Sequence, residues 1–254
     1  MNVDNYSQVI GSKKIISGIN KTNLVLETTK RRTESKKEIY KIVKRGMDIF
    51  IASISLVLLL PLFLIITIAI KLDSKGKVIF KHKRIGKDGK EIYIYKFRTM
   101  VENAQDLIKS FTPEQKKEFR ENFKLENDPR ITKVGNFLRK NSLDELPQLI
   151  NILKGDLALI GPRPVINDEL EKYSTNKSKF LSVTPGLTGY WAANGRSNTT
   201  YEQRMEMELY YIDNLSLKMD IKVFFKTILS VVKKEGAIWL LINLDFFLNI
   251  KNKM

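Results

Sequence analysis

From position 47 to position 70 the chain is apolar almost without interruption, and Asp48 is the only charged residue in that run. A helix of about 20 such residues is long enough to cross a bilayer. Pro61 lies inside the run, where a proline removes a backbone hydrogen bond and bends a helix. Lysine and arginine are frequent on both sides, and the positive-inside rule places both flanks in the cytoplasm. We therefore predict a re-entrant membrane helix that is broken at Pro61, rather than a straight crossing.

Beyond this run, the alternation of apolar and polar residues predicts a small β-hairpin followed by helices. Two β-rich segments, 78–86 and 91–100, flank Lys87-Asp88-Gly89, whose residue types favour a tight turn. Ser142 and Glu145 have capping-box spacing at the start of one predicted helix. Residues 157–160 predict a short buried run, and residues 185–197 a glycine-punctuated loop. Helices are predicted over 101–123 (with Pro113 opening a second helix there), 131–139, 142–153, 199–214 and, as an amphipathic helix suited to a membrane surface, 217–232.

Charge narrows the kind of partner that the protein binds. The 254-residue chain has a formal net charge of +16, which indicates an anionic partner such as nucleic acid, a phospholipid surface or a phosphorylated substrate. There is no cysteine, so disulfide frameworks and thiolate metal sites are excluded. His82 is the only histidine, which excludes any chemistry that needs two imidazoles.

Two adjacent carboxylates, Asp144 and Glu145, follow Arg139 and Lys140 closely. Acidic residues at a helix start are common because they suit the helix dipole, so the pair alone is compatible with a purely structural role. The same dipole and basic neighbours would keep Asp144 ionised, as a carboxylate nucleophile requires. Neighbouring carboxylates are also suitable Mg²⁺ ligands, since Mg²⁺ prefers one or two of them together with substrate phosphates.

Arginines are the candidate phosphate ligands. Arg163 lies between two prolines that fix the local backbone, and its guanidinium offers a rigid fork for phosphate oxygens. Lys96-Phe97-Arg98 ends the predicted hairpin, and Asn194-Gly195-Arg196 lies in the predicted loop. Because the chain has no Walker-type glycine-rich loop, such arginines would have to hold any phosphate.

Several ordered sequence blocks resemble those of the bacterial sugar transferase family, the monotopic polyprenyl-phosphate phosphoglycosyl transferases. The resemblance extends from about Lys44 to Lys233, and it implies a short form of the family, without the additional N-terminal membrane helices of its larger members. The blocks are KRGMDIF, YKFRTM, DPRITKVGNFLRKNSLDELPQL, GDLALIGPRPV and TPGLTGYWAANGR.

The resemblance implies a role for each matching residue. Asp144 matches the family nucleophile, which attacks the β-phosphate of a UDP-sugar, expels UMP and forms a phosphosugar-aspartate intermediate that polyprenyl phosphate then attacks. Glu145 matches the partner carboxylate, and Mg²⁺ is the implied cofactor, with Asp144 and Glu145 as its ligands. Substrate- or phosphate-binding roles are implied for Arg163, Arg139, Arg98 and Arg196.

The predicted fold class is α+β, predominantly helical, with a re-entrant membrane helix, interfacial amphipathic helices and a small β-hairpin. The expected partners are a UDP-sugar, undecaprenyl or another polyprenyl phosphate, and the cytoplasmic leaflet of the bacterial inner membrane, with no nucleic acid. The sequence leaves open the sugar, the glycan pathway and whether the chain forms homo-oligomers. The predicted regions are a loosely ordered basic arm (1–35), the membrane-associated helix (36–73), a cytoplasmic-face catalytic domain (74–236) and an apolar tail (237–254).

Three other interpretations remain open at the level of sequence. A membrane-tethered basic protein that binds nucleic acid or anionic lipid would account for the charge and the apolar run, but not for the Asp144-Glu145 and Pro-Arg-Pro blocks. A degenerate family member could act as a scaffold for other glycan enzymes. Direct transfer in a ternary complex would make Glu145 a base and Asp144 only a metal ligand.

Overall fold

The computed structural model of the protein describes residues 3–122, 125, 127–195 and 199–232, with side chains from Glu34 onward. The chain forms two compact units, residues 1–47 and residues 48–254. The strands are β1 (Ile79–Ile85), β2 (Glu91–Phe97), β3 (Ala158–Ile160) and β4 (Gly186–Thr188). The helices are α1 (Val3–Asp73), α2 (Pro113–Asn122), α3 (Lys133–Lys140), α4 (Gln148–Lys154), α5 (Asn167–Glu171), α6 (Lys177–Leu181), α7 (Tyr190–Asn194), α8 (Tyr201–Asp213) and α9 (Leu217–Val232). The described part is thus mostly helical, as predicted.

The first unit consists of the N-terminal part of α1. Its backbone is helical from Val3, including residues 3–35, for which the sequence predicts a loosely ordered arm. An exposed ion pair between Lys41 and Glu38 (2.6 Å, three residues apart) lies in this part of the helix. Such exposed pairs contribute only a few tenths of a kcal/mol, about 0.3–0.5, so this contact does not decide the fold.

The apolar part of α1 belongs to the second unit and has two different faces. One stripe, with Ala52, Ile66 and Ile70 at helical spacing, is buried in the core. The remaining surface exposes large apolar side chains: Val57, Leu58, Leu60, Leu64, Ile65, Ile68 and Leu72. Residues 34–73 are long and apolar enough to cross a membrane, and only 11% of their most apolar stretch is buried. The helix continues through Pro61, and its path in a bilayer stays a prediction.

Polar contacts fasten both ends of this apolar segment to the rest of the second unit. Near its start, the backbone N–H of Leu159 donates to Asp48 Oδ1 at 3.0 Å, and the Asp48 side chain is buried. At its end, the N–H of Val134 donates to Asp73 Oδ2 at 3.1 Å. The Arg98 guanidinium donates to the carbonyls of Ile70 (3.4 Å) and Ser74 (2.7 Å) at the C-terminal end of the helix, where backbone carbonyls run out of helical donors.

The predicted hairpin is confirmed. β1 and β2 pair antiparallel, with Ile79 opposite Phe97 and Ile85 opposite Glu91. The turn needs two residues with positive φ, which Asp88 (55°) and Gly89 (76°) supply. Ile92 and Ile94 face the core together with Ala52 of α1. The hairpin is therefore seated directly on the apolar helix.

A second, parallel sheet joins β3 to β4, and the sequence does not predict it. Ala158 pairs with Gly186 and Ile160 with Thr188. Gly186 and Thr188 lie within residues 185–197, which the sequence predicts to be a loop. The two strands approach closely: a Cβ added to Gly186 would lie 2.1 Å from the backbone nitrogen of Gly161. Glycine is required at this position for steric reasons. The prediction of a short buried run at 157–160 is correct.

The two C-terminal helices of the described chain agree with prediction. α8 begins at a capping box, where Thr200 and Gln203 satisfy each other's backbone N–H groups. α9 buries Val223 against β3 and α8, whereas Ile221, Phe225, Ile228 and Leu229 are exposed. Lys218, Lys222 and Lys226 are also exposed on this helix. The predicted apolar tail, residues 237–254, lies outside the described residues.

Candidate active site

The Asp144-Glu145 pair lies in a short 3₁₀ turn, Leu143–Glu145, and not at the start of a long helix. The predicted helix over 142–153 is therefore confirmed only in its second half, as α4, and the predicted capping box at Ser142 is wrong. Ser142 has left-handed backbone angles (φ 57°), and its side chain makes no capping hydrogen bond. Pro147 interrupts the segment, because a proline has no N–H to continue a helix, and α4 starts after it at Gln148. The turn nevertheless projects both carboxylates toward β2.

Lys96, at the end of β2, connects the two carboxylates. Its ammonium Nζ lies 2.6 Å from Glu145 Oε1 and 4.0 Å from Asp144 Oδ2. The sequence-based choice of site residues misses Lys96 because the contact bridges 49 positions of chain. A signal was present: Lys96 shares its strand face with the buried Ile92 and Ile94, and a lysine on a buried face needs a partner.

Burial dominates the electrostatics of Asp144, which is only 9% exposed. Desolvation raises the pKa of its carboxyl group, Lys96 opposes this, Glu145 adds to it, and Arg139 opposes it again. The basic neighbours expected from the sequence are present, but they do not outweigh burial. Arg139 is held in place by donating from Nε to Thr99 Oγ1 at 2.8 Å. A buried carboxylate of this kind is weakly solvated, a property that a carboxylate nucleophile would need.

An open cleft lies beside the dyad. Glu145 lines it, and Asp144 lies just behind this wall, within reach of Lys96. The opposite wall is formed by the Pro-Arg-Pro segment and by two aromatic side chains, Tyr190 and Trp191. Its charged lining residues are three cations (Arg84, Lys96 and Arg163) and two carboxylates (Glu145 and Glu208). Such a cleft suits a phosphorylated ligand whose organic part can contact aromatic rings.

Arg163, between Pro162 and Pro164, lines the cleft. Its guanidinium carbon lies 6.0 Å from the centre of the Trp191 ring, and its backbone N–H donates to Glu208 Oε1 at 3.0 Å. Glu208 also lines the cleft. The segment that carries Arg163 is thus tied to α8 as well as to the β3–β4 sheet.

Arg84 and His82 on β1 are further site residues that the sequence does not single out. Arg84 lines the cleft, and its guanidinium nitrogens lie 3.6 Å from Glu169 Oε2 and 3.4 Å from His82 Nδ1. Desolvation, with Arg84, Lys96 and Arg163 nearby, lowers the pKa of His82 to about 4. His82 is therefore a neutral group at physiological pH and adds no charge to the cleft. The alternation that places 80, 82 and 84 on one face of β1 is the only sequence signal for them.

The other predicted phosphate ligands are placed differently. Arg98 is buried at the end of α1 and donates to backbone carbonyls, including that of Lys75. It does not line the cleft. Arg196 lies outside the described residues. Arg139 does not line the cleft, although its charge acts on Asp144. Among the described residues, the structure therefore brings together Asp144, Glu145, Arg139 and Arg163, with Lys96 and Arg84 in addition.

The sequence model described as Bacterial sugar transferase matches residues 39–234, which include every element from the apolar helix to α9. The chain therefore belongs to the bacterial sugar transferase family.

Named relatives are similar over the same region. The undecaprenyl-phosphate galactose phosphotransferase of Salmonella typhimurium is 42% identical over 200 residues, which are 78% of this chain and 42% of that protein. The exopolysaccharide production protein ExoY of Rhizobium meliloti is 42% identical over 208 residues, 81% of this chain and 92% of that protein. The UDP-glucose:undecaprenyl-phosphate glucose-1-phosphate transferase of Escherichia coli is 39% identical over 207 residues, 78% of this chain and 42% of that protein. The chain thus matches less than half the length of some relatives and nearly all of another.

Proposed function

We propose that the protein transfers a sugar 1-phosphate from a UDP-sugar to a polyprenyl phosphate, such as undecaprenyl phosphate, and releases UMP. This would be the first membrane step of capsule or exopolysaccharide assembly, in keeping with the names of its relatives. The observation that supports it most is the meeting of the buried Asp144, the half-buried Glu145 and Lys96 with a cleft lined by Arg84 and Arg163. A dyad beside a cationic cleft suits attack on a phosphate.

The proposed reaction has two displacement steps at phosphorus. Asp144 Oδ attacks the β-phosphorus of the UDP-sugar, the bond from that phosphorus to the bridging oxygen breaks, and UMP leaves with the electron pair. A phosphate oxygen of the polyprenyl carrier then attacks the phosphosugar-aspartate, which frees the Asp144 carboxylate and yields the polyprenyl diphosphate sugar. Two steps let a soluble donor and a membrane-bound acceptor use one site in turn.

Each cation at the cleft has a separate task in this scheme. Lys96 lies within reach of both carboxylates, so it orients Glu145 and offsets the charge of Asp144 before attack. Arg163 and Arg84 would bind the donor phosphates, because guanidinium forks match phosphate oxygens. Their positive charge stabilises the negative charge that gathers on the phosphate oxygens in the transition state.

Asp144 and Glu145 would also hold the Mg²⁺ that the family resemblance implies. The fit is acceptable by donor chemistry: Mg²⁺ takes one or two carboxylates and completes its shell with substrate phosphates and water. The described residues offer no group of three or more acidic or imidazole side chains, so the protein alone would not saturate the ion. When bound, Mg²⁺ would neutralise diphosphate charge and help the UMP group to leave.

The exposed apolar surfaces of α1 and α9 support an association with the cytoplasmic leaflet. One face of the apolar part of α1 packs against the rest of the second unit, and both ends of this apolar part are fastened there through Asp48 and Asp73. A helix fastened in this way could not cross a bilayer without drawing polar backbone into the hydrocarbon, which is costly. We propose that it is re-entrant, and that α9 lies in the interface with its lysines toward the head groups.

The reaction is tested by measuring UMP release from a panel of UDP-sugars, with purified full-length protein, Mg²⁺ and undecaprenyl phosphate. Release with one donor, abolished in Asp144→Asn but retained in the exposed control Asp106→Asn, is the expected result. Trapping a β-phosphate-labelled phosphosugar on the protein without acceptor tests the covalent step. Active enzyme that never becomes labelled would favour direct transfer in a ternary complex, and no release with any donor would favour a scaffold role.

Topology is tested with introduced cysteines, because the sequence contains none of its own. Lys44→Cys and Lys77→Cys lie on the two sides of the apolar run. A membrane-impermeant maleimide should label both in inside-out vesicles and neither in intact spheroplasts. Labelling of the two sites from opposite sides would contradict the re-entrant path.

A further inference from the structure

The segment Gly161-Pro162-Arg163-Pro164 carries the cleft arginine on a backbone with few hydrogen-bond donors. Proline has no N–H, so Arg163 provides the only backbone donor from position 162 to position 164. That donor is used: it points to Glu208 Oε1 at 3.0 Å. On the other side, the carbonyl of Pro162 accepts from the N–H of Gly186 at 2.8 Å. The Arg163 backbone is therefore held between the β3–β4 sheet and one carboxylate of α8.

Glu208 is itself fixed by neighbours. It is 2% exposed, and its second oxygen, Oε2, accepts a short hydrogen bond from the Tyr173 hydroxyl. Arg204, one turn earlier on α8, lies with Nε 3.4 Å from Glu208 Oε1. Arg204 also reaches Glu169 Oε1 at 3.3 Å and lies 5.0 Å from the centre of the Trp191 ring. A fully buried carboxylate with three donors has little freedom to move.

The negative charge of Glu208 is unexpected in the lining of a cleft that is to bind phosphates. A carboxylate that lines a cationic cleft repels an anionic ligand, so on Coulombic grounds alone Glu208 weakens phosphate binding. The burial of this carboxylate is compensated by the three donors described above. A residue whose charge opposes binding of the ligand is most simply explained by what it holds, and among the groups that Glu208 holds is the Arg163 backbone.

We propose that Glu208 is a positioning residue that aims Arg163 at the phosphates of the donor, acting through the single N–H of the Pro-Arg-Pro segment and locked by Tyr173. The proposal rests on the proposed function only in that Arg163 binds the donor phosphates. Arg84 receives support from the same network, because Glu169 contacts both Arg84 and Arg204.

The test is a mutant cycle read by the affinity for UDP, which needs no turnover. Glu208→Ala removes the acceptor of the Arg163 N–H, and it should weaken UDP binding by about 10- to 100-fold, the factor for losing one charge-assisted hydrogen bond from the Arg163 guanidinium to a phosphate. Glu208→Gln keeps an acceptor oxygen and should restore most of the affinity. In an Arg163→Ala background, Glu208→Ala should change the affinity little, because there is no longer a guanidinium to aim. Glu206→Gln, an exposed acid on the same helix, is the matched control.

Two results would overturn the proposal: tighter UDP binding in Glu208→Ala, as simple charge removal predicts, or an equal loss with and without Arg163, as a general weakening of the fold predicts. If Glu208→Ala does not fold, Tyr173→Phe releases one oxygen of Glu208 and should weaken UDP binding several-fold, again only when Arg163 is present. UMP release separates the two proposals. If the variants show the expected UDP affinities but the wild-type protein releases no UMP, the proposed function alone is refuted. If the wild-type protein releases UMP but Glu208→Ala leaves its UDP affinity unchanged, the positioning role alone is refuted.

Discussion

Replacing Asp144 by asparagine should make the protein more stable while abolishing turnover. The Asp144 carboxyl group is 9% exposed, and burial raises its pKa despite Lys96 and Arg139. Lys96 is nearer to Glu145 (2.6 Å) than to Asp144 (4.0 Å), so most of its charge is offset by the other member of the dyad. A raised pKa means that the folded state holds the charged form at a cost, which the nearly isosteric amide removes.

The expected gain is about 0.5–2 kcal/mol, the usual range for relieving one unfavourable feature. For a chain of this size each kcal/mol raises Tm by about 2–4 °C. The upward direction of the Asp144 pKa shift also determines how the stability difference between the two proteins depends on pH. The carboxyl group is protonated in both states below its ordinary pKa of 3.8, so the advantage of Asp144→Asn should be full above the raised pKa and should fade as the pH falls toward 3.8.

The assay is thermal unfolding of both proteins in the same detergent micelles from pH 8 to pH 3.5, a range that includes the ordinary carboxyl pKa of 3.8. Asp106→Asn serves as the control, because Asp106 also lies in a 3₁₀ turn but its side chain is 74% exposed. This control should leave Tm unchanged at every pH. A lower Tm for Asp144→Asn at pH 8, or a difference that does not vary with pH, would show that burial does not dominate at the dyad.

Three further substitutions test other parts of the structure. Arg84→Gln should raise the KM for the UDP-sugar by about 10-fold or more, which is the factor for one lost charge-assisted hydrogen bond. The control Lys83→Gln, on the exposed face of β1, should leave KM unchanged. Equal KM values for the two variants would show that Arg84 does not bind the donor. Asp48→Ala leaves the buried N–H of Leu159 without its acceptor and should cost about 1–3 kcal/mol in chemical denaturation, while Asp48→Asn should cost less, and a neutral Asp48→Ala would refute that contact. A Cβ at Gly135 would lie 2.1 Å from the Thr99 carbonyl oxygen, so Gly135→Ala should destabilise the fold by about 1–3 kcal/mol. Gly46→Ala meets no atom within 4 Å and should be neutral or stabilising, so unchanged unfolding in both glycine variants would contradict the close packing of α3 on Thr99.

Local signals explain which elements were predictable from the sequence. The hairpin follows from a turn with Asp88-Gly89 between two β-rich segments, and α8 follows from the capping box at Thr200. The helix predicted over 142–153 forms only from Gln148 onward, because Pro147 separates the 3₁₀ turn from α4 although the spacing of Ser142 and Glu145 is that of a capping box. The β3–β4 pair joins two three-residue segments that are distant in the chain, and no local sequence pattern predicts such a pairing.

The site was predictable only in part, for the same reason. Asp144, Glu145 and Arg163 lie in conspicuous local motifs, which the family resemblance made interpretable. Lys96 and Glu208 act across long stretches of chain, and each looks ordinary among its sequence neighbours. Arg98 illustrates the converse case: it lies in a conspicuous motif, but the structure places it on the carbonyls that end α1.

The contact between Asp48 and Leu159 also has a consequence for the order of events during synthesis. The two residues are 111 positions apart, so at a translation rate of about 5–20 residues per second the ribosome needs about 6–22 s to produce the second after the first. Throughout that interval the contact between the Asp48 carboxylate and the Leu159 N–H cannot form. The start of the apolar segment can therefore take its final position against β3 only after β3 has been synthesised, which couples the packing of this helix to completion of the second unit.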